Sequence, residues 1–290
     1  MLESQADKAR IQRRRRKNRV FHSLFFLSTF FGVVALAILL IQIAVQAWGW
    51  LDWQFLTSYA SRKPELSGIK AALAGTLWMM SIVAPLTFIM GVATAIYLEE
   101  YAKNTWFSRL IQTNISNLAG VPSIVFGLLG LTVFVRIFGL GNSILAGAFT
   151  MTLLVLPIII VSSQEAIRAV PMSLRNASYA LGGNRWQTIV RVVLPSSLAG
   201  ILTGSILSLS RAIGETAPLL VVGAVAYIAF TPTSFLDKFT VLPMQIYTWS
   251  GLPQADFQHV AGAGIVVLLA LLLSMNAVAI ILRNKFQKKH

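Results

Sequence analysis

Six long apolar stretches, separated by short polar ones, set the pattern of this chain. They fall at about residues 21–48, 70–97, 112–138, 142–162, 197–230 and 260–282. A helix needs roughly 20 apolar residues to cross a bilayer. The pattern therefore predicts an all-α integral membrane protein with six transmembrane helices. The first stretch, Phe21–Trp48, is longer than the about 7–15 apolar residues of a secretory leader, so it is expected to remain as the first span. Trp48, Trp50 and Trp53 would form an aromatic belt at its far interface. Several stretches carry breakers, and Pro85 offers a break in the second. The third contains LAGVPSIVFGLLGL, with Pro122 and small residues that let helices approach closely. The fifth is interrupted by Arg211, Gly214, Glu215 and Pro218.

Composition agrees with a bilayer as the main solvent. The 290 residues are 56% hydrophobic and only 12% charged, against about 25% charged in soluble domains. The formal net charge of +14 would invite a nucleic-acid reading, but its distribution argues against one. Residues 1–20 hold Lys8, Arg10, Arg13, Arg14, Arg15, Arg16, Lys17 and Arg19, read as a disordered cytoplasmic tail attracted to anionic lipid. Lys103, Arg109, Arg168, Arg175, Arg185, Arg191, Arg283, Lys285, Lys288 and Lys289 fall on the same side of six alternating spans. Arg62, Lys63, Lys70, Arg136 and Lys238 fall on the other. That bias predicts both termini in the cytoplasm. The chain has no cysteine, which excludes disulfides and thiolate metal sites, and its three histidines are isolated. No G-x-x-x-x-G-K-[ST] loop is present to cradle ATP phosphates.

A basic segment, residues 163–195, links the fourth and fifth stretches. Ala177, Ala180 and Leu181 fall at helical spacing. Gly182 and Gly183 then offer the left-handed position that ends a helix, and Trp186–Val193 makes a second helical run before Pro195. The segment resembles the EAA loop of ABC-importer permeases: Glu-Ala-Ala, three residues, Gly, nine residues, Ile, one residue, Leu-Pro. Here Asn176-Ala177-Ser178 is followed at the same spacings by Gly182, Val192 and Leu194-Pro195. Asn176 stands where that pattern has Glu, Ser178 where it has Ala, and Val192 where it has Ile. The resemblance implies a type I ABC importer permease fold with a cytoplasmic coupling helix between spans four and five. That helix would dock on a separate ATPase subunit through Asn176, Ala177, Tyr179, Leu181, Gly182, Arg185 and Trp186. From the residues alone, an amphipathic loop lying on the membrane surface remains the alternative.

Arg211 and Glu215 are four residues apart in SLSRAIGETAPLL and share a helix face. A charge at mid-bilayer costs at least about 2.5–3.5 kcal/mol, so such residues face a cavity, the protein interior or each other. Two roles compete: an anion-binding cation checked by Glu215, or a permanent ion pair that packs the bundle. Arginine suits oxyanions because its fork can bind two oxygens at once. SRAIGETAPL, together with AIYLEEYA (95–102) and VPSIVFGL (121–128), is similar to phosphate-importer permeases of the PstA type.

That similarity covers nearly all of residues 70–285. It implies half of a phosphate pathway in the bacterial inner membrane, with Arg211 and Glu215 facing substrate. Its partners would be a PstC-type permease, two PstB-type ATPase subunits binding ATP and Mg²⁺, an external phosphate-binding protein and membrane lipid. No cofactor is expected on this chain and no nucleic acid as partner. A permease for sulfate, molybdate or phosphonate, an ATP-independent transporter and a membrane scaffold are the alternatives.

Overall fold

The computed structural model describes residues 5–287, apart from Asn104 and Ala226. Lys288 and Lys289 of the closing basic cluster, and residues 1–4 of the tail, lie outside that range. The described chain is all helical. Five helices are long and apolar enough to cross a membrane, and a sixth crossing is reached if one bent pair is taken as a single span.

The first helix, α1, runs Gln5–Ala47. The expected disordered tail is instead continuous with it from Gln5. No proline or glycine stands between residues 5 and 31 to end the helix where the charges begin. Lys17–Ala47 is apolar and largely uncovered short of its far end, as suits a helix facing lipid, where exposed apolar surface costs nothing. α1 touches the rest through its far end. There Trp50 stacks on His259 with ring centres 6.0 Å apart, and the His259 Nδ1 lies 3.0 Å from the Gln46 carbonyl.

A short helix α2 (Trp53–Thr57), capped by Asp52, leads to the second span, α3 (Lys70–Ile96). α3 continues as a π-helical turn, Tyr97–Tyr101. The third apolar stretch is not one straight rod. Helix α4 (Trp106–Leu118) and helix α5 (Ser123–Gly130), which runs on as a π-helix to Ile137, meet at 106°. Pro122 is the cause, since its ring and missing N–H cannot continue α4. The expected span 112–138 is thereby divided.

Helix α6 (Ile144–Arg168) is the axis of the fold. It packs along α3 on one side, and Met79, Val83, Met151, Val155 and Ile159 form the shared core. Beyond α6 lie α7 (Met172–Ala180) and α8 (Arg185–Thr188). A π-helical turn, Ile189–Val193, then feeds the fifth span, α9 (Leu194–Ile213). Small residues allow α9 to approach α6: a Cβ on Gly200 would stand 2.8 Å from that of Ala166.

The fifth apolar stretch also breaks. Gly214–Thr216 interrupts the helix, and α10 (Ala217–Val222) departs to pack against α5. The long connection that follows contains α11 (Leu242–Ser250). Its Trp249 is fully buried with Phe55 and Phe257. The last span, α12 (Asp256–Gln287), returns antiparallel to α1.

Candidate functional site

At the end of the bundle where α3 and α6 finish, α7 and α8 form a bent outcrop. Pro171 starts α7, and Gly182, with φ of +82°, turns the chain after it. Asn184 and Gln187 then make a reciprocal capping box for α8: the Gln187 amide donates to Asn184 Oδ1 at 2.8 Å, and the Asn184 amide to Gln187 Oε1 at 2.9 Å. A Ser178–Thr188 hydroxyl contact of 2.9 Å ties the two helices together. The turn is therefore pinned at both ends, and its apolar side chains point away from the bundle. Leu181 is 90% exposed, Trp186 63% and Tyr179 42%. Asn176, Ala177 and Gly182 are exposed on the same outcrop. Arg185 differs from the others: its guanidinium lies 5.1 Å from the Tyr101 ring centre, at the end of α3.

Sequence reasoning passed over the residues that hold this outcrop. Glu99 accepts hydrogen bonds from Gln164 at 2.7 Å and from the Arg168 Nε and Nη2 at 2.8 and 2.7 Å. Glu100 pairs with Arg175 at 3.0 Å, and both side chains are buried. Arg175 also donates to the carbonyls of Val170 and Ile167 at 2.8 and 2.9 Å. Those carbonyls lie at and just past the end of α6, so one guanidinium caps that helix and holds α7 to α3. The signal was present: two adjacent acids at the close of span two, and two arginines seven residues apart after span four.

The second site lies deep in the bundle, where α9 breaks. Arg211 Nε donates to Glu215 Oε1 at 3.3 Å. The Arg211 side chain is 68% exposed and that of Glu215 18%. The contact uses one of the five guanidinium N–H groups, and the guanidinium makes no other hydrogen bond among the described residues. A small cleft of about 30 Å³ adjoins the pair, with Ser123 and Phe126 from α5 and Ser208 from α9 in its wall. The VPSIVFGL and SRAIGETAPL runs thus meet at one place. Ser210 on α9 bonds Asn276 on α12, adding a polar contact between spans. A two-thirds exposed guanidinium at membrane depth demands water or a second chain against it.

The outcrop, the broken fifth span and the Arg211–Glu215 pair all belong to a bundle of long apolar helices. Among solved structures, the bundle matches the MetNI methionine ABC transporter in inward-facing form (TM-score 0.62, 18% identity, 74% of this chain and 94% of that one). It also matches a bacterial alginate ABC transporter crystallised with an alginate pentasaccharide-bound periplasmic protein (TM-score 0.69, 14% identity, 96% and 99% of the two chains). The chain belongs to the family of binding-protein-dependent transport system inner membrane components, which it matches over residues 88–289. Relatives include the phosphate transport system permease protein PstA 1 of Mycobacterium tuberculosis H37Rv (36% identical, 93% of this chain and 89% of that one). The phosphate transport system permease protein PstA of Yersinia pestis is 32% identical over 96% of this chain and 92% of its own. The probable ABC transporter permease protein YqgI of Bacillus subtilis is 33% identical over 82% and 85%.

Proposed function

We propose that the chain is one permease subunit of an ATP-driven phosphate importer, paired with a second permease of the PstC type. Two PstB-type ATPase subunits would supply the energy and hold ATP and Mg²⁺, and an external binding protein would deliver phosphate. The observation that carries this reading is the inner outcrop, which offers Tyr179, Leu181 and Trp186 to a partner while fixed to the bundle behind it. Phosphate as solute is supported by the names of relatives that align over nine-tenths of the chain. The outcrop would face the cytoplasm with both termini, in keeping with the lysines and arginines gathered on that side.

In this mechanism closure of the ATPase pair pushes α7, and the spans rock between inward-open and outward-open arrangements. Arg211 presents its free N–H groups to the passing oxyanion, and Glu215 holds the guanidinium when the path is empty. The exposure of Arg211 argues against a pair that packs only this chain's own bundle. A permease for another oxyanion would use the same guanidinium. Reconstitution into liposomes with the co-purified ATPase tests the proposal. Phosphate uptake that requires ATP on the inner side is expected, and uptake that proceeds without ATP, or a chain that purifies with no ATPase, would refute it.

A further inference from the structure

Three consecutive residues at the end of α3 each hold a different element, two of them in the outcrop. Glu99 holds Gln164 and Arg168 of α6. Glu100 holds Arg175 of α7. Tyr101 lies beside Arg185 of α8. Consecutive side chains on an α-turn point about 100° apart, and those of the π-helical turn Tyr97–Tyr101 are likewise splayed around its axis. That spread lets one short turn face three neighbours. Each contact differs in kind: a bidentate surface pair, a buried ion pair with backbone acceptors, and a cation over an aromatic face.

We infer that this turn is the strut that carries displacement of α7 and α8 into the second span, with Glu100 and Arg175 as its positioning residues. The inference rests on the proposed coupling role of α7 and assigns how the motion reaches the bundle. The direct chain link from α7 runs to α6 through Ala169–Pro171, and from α8 to α9 through the turn 189–193. Neither link reaches α3, which packs along α6 through the core and has no covalent neighbour in the outcrop. The Glu100–Arg175 pair supplies that link. Its geometry is over-determined: Arg175 makes three hydrogen bonds of 3.0 Å or less, two of them to carbonyls at and just past the end of α6. A displacement of α7 must therefore drag α3 and the end of α6 together or break the pair. Packed elements tied in this way move as units rather than deform.

The test is the number of ATP molecules hydrolysed per phosphate taken up by the intact complex in liposomes. Glu100→Gln keeps volume and one acceptor but removes the charge; Tyr101→Leu removes the ring beside Arg185 at an exposed position. Both should assemble with the ATPase, keep hydrolysing ATP and raise the ratio at least about fivefold, the low end of typical coupling between sites. Glu165→Gln removes the surface contact to Arg168 that does not involve α3, and should leave the ratio unchanged. An unchanged ratio in assembled Glu100→Gln, or failure of both strut variants to assemble, would overturn the inference and leave the turn as a folding contact. If the unaltered complex moves another oxyanion instead, the ratio is taken with that ion and the strut stands or falls separately. If the unaltered complex hydrolyses no ATP, the importer reading fails rather than the strut.

Discussion

Gly127 of α5 lies directly against Pro218 of α10: a Cβ at Gly127 would stand 2.8 Å from the Pro218 Cα and 2.9 Å from its carbonyl oxygen. This approach seats the piece that follows the break in the fifth span, and with it Glu215. Gly127→Ala must push α10 away. It should lower thermal stability by about 1–3 kcal/mol, the usual cost of overpacking, and reduce uptake. Gly120→Ala, where the nearest neighbour is 3.5 Å away, should do neither. Equal melting temperatures for the two variants would remove Gly127 as a packing determinant.

Arg211→Ala should abolish phosphate uptake while the complex still assembles, because the side chain is exposed and its one partner is a carboxylate on the same chain. Arg211→Lys keeps the charge but not the fork, and should retain partial uptake with a raised KM. Radiolabelled phosphate uptake by purified, assembled variants measures this. Normal uptake by Arg211→Ala would assign the residue to the bundle alone.

Gly182 carries a positive φ with open space around it, so substitutions there act through backbone strain rather than collision. Gly182→Val should cost roughly 1–2 kcal/mol at the turn, the penalty for a side chain in the left-handed region. It should uncouple hydrolysis from transport. Gly182→Asn, better tolerated at such angles, should stay closer to the native ratio. Gly182→Asp, by contrast, sets a carboxylate in the expected docking surface and should uncouple as Val does. Native coupling in all three would contradict the docking role.

In the connection before α11, Asp237 accepts from the Thr233 and Ser234 amides at 2.8 and 2.9 Å, which hold its carboxyl below the ordinary aspartate value. A depressed folded pKa stabilises above the unfolded value and is lost as pH falls through the folded one. The turn should therefore be firm at neutral pH and loosen only in acid. Asp237→Asn should loosen it at neutral pH, read as faster amide exchange at Thr233 and Ser234. Unchanged exchange in the variant would dismiss the contact.

Much of this was legible in the residues because lipid imposes a simple rule on sequence. Span length follows from it, and the glycine turn at 182 was readable because only glycine settles there without strain. Breaks were harder. Pro122 and Gly214 were visible as residues, but whether a breaker bends, kinks or ends a helix depends on what packs behind it, as Pro218 does behind Gly127. Pro85 and Pro157 show the contrast, each lying inside a continuous helix. The burial of α11 and the grip of Glu99 and Glu100 on Arg168 and Arg175 were out of reach for the same reason. Contacts between residues 65 to 75 positions apart are made by the fold, not by local periodicity. The basic tail was misread because charge alone does not end a helix.

The most direct test uses Leu181, which is 90% exposed, in a chain that has no cysteine of its own. Leu181→Cys should react with a membrane-impermeant maleimide only from the cytoplasmic side. In the assembled complex it should be shielded, and should cross-link to the ATPase subunit in a yield that changes with bound nucleotide. Labelling from the external side, or full reactivity in the assembled complex with no cross-link to the ATPase, would contradict the account.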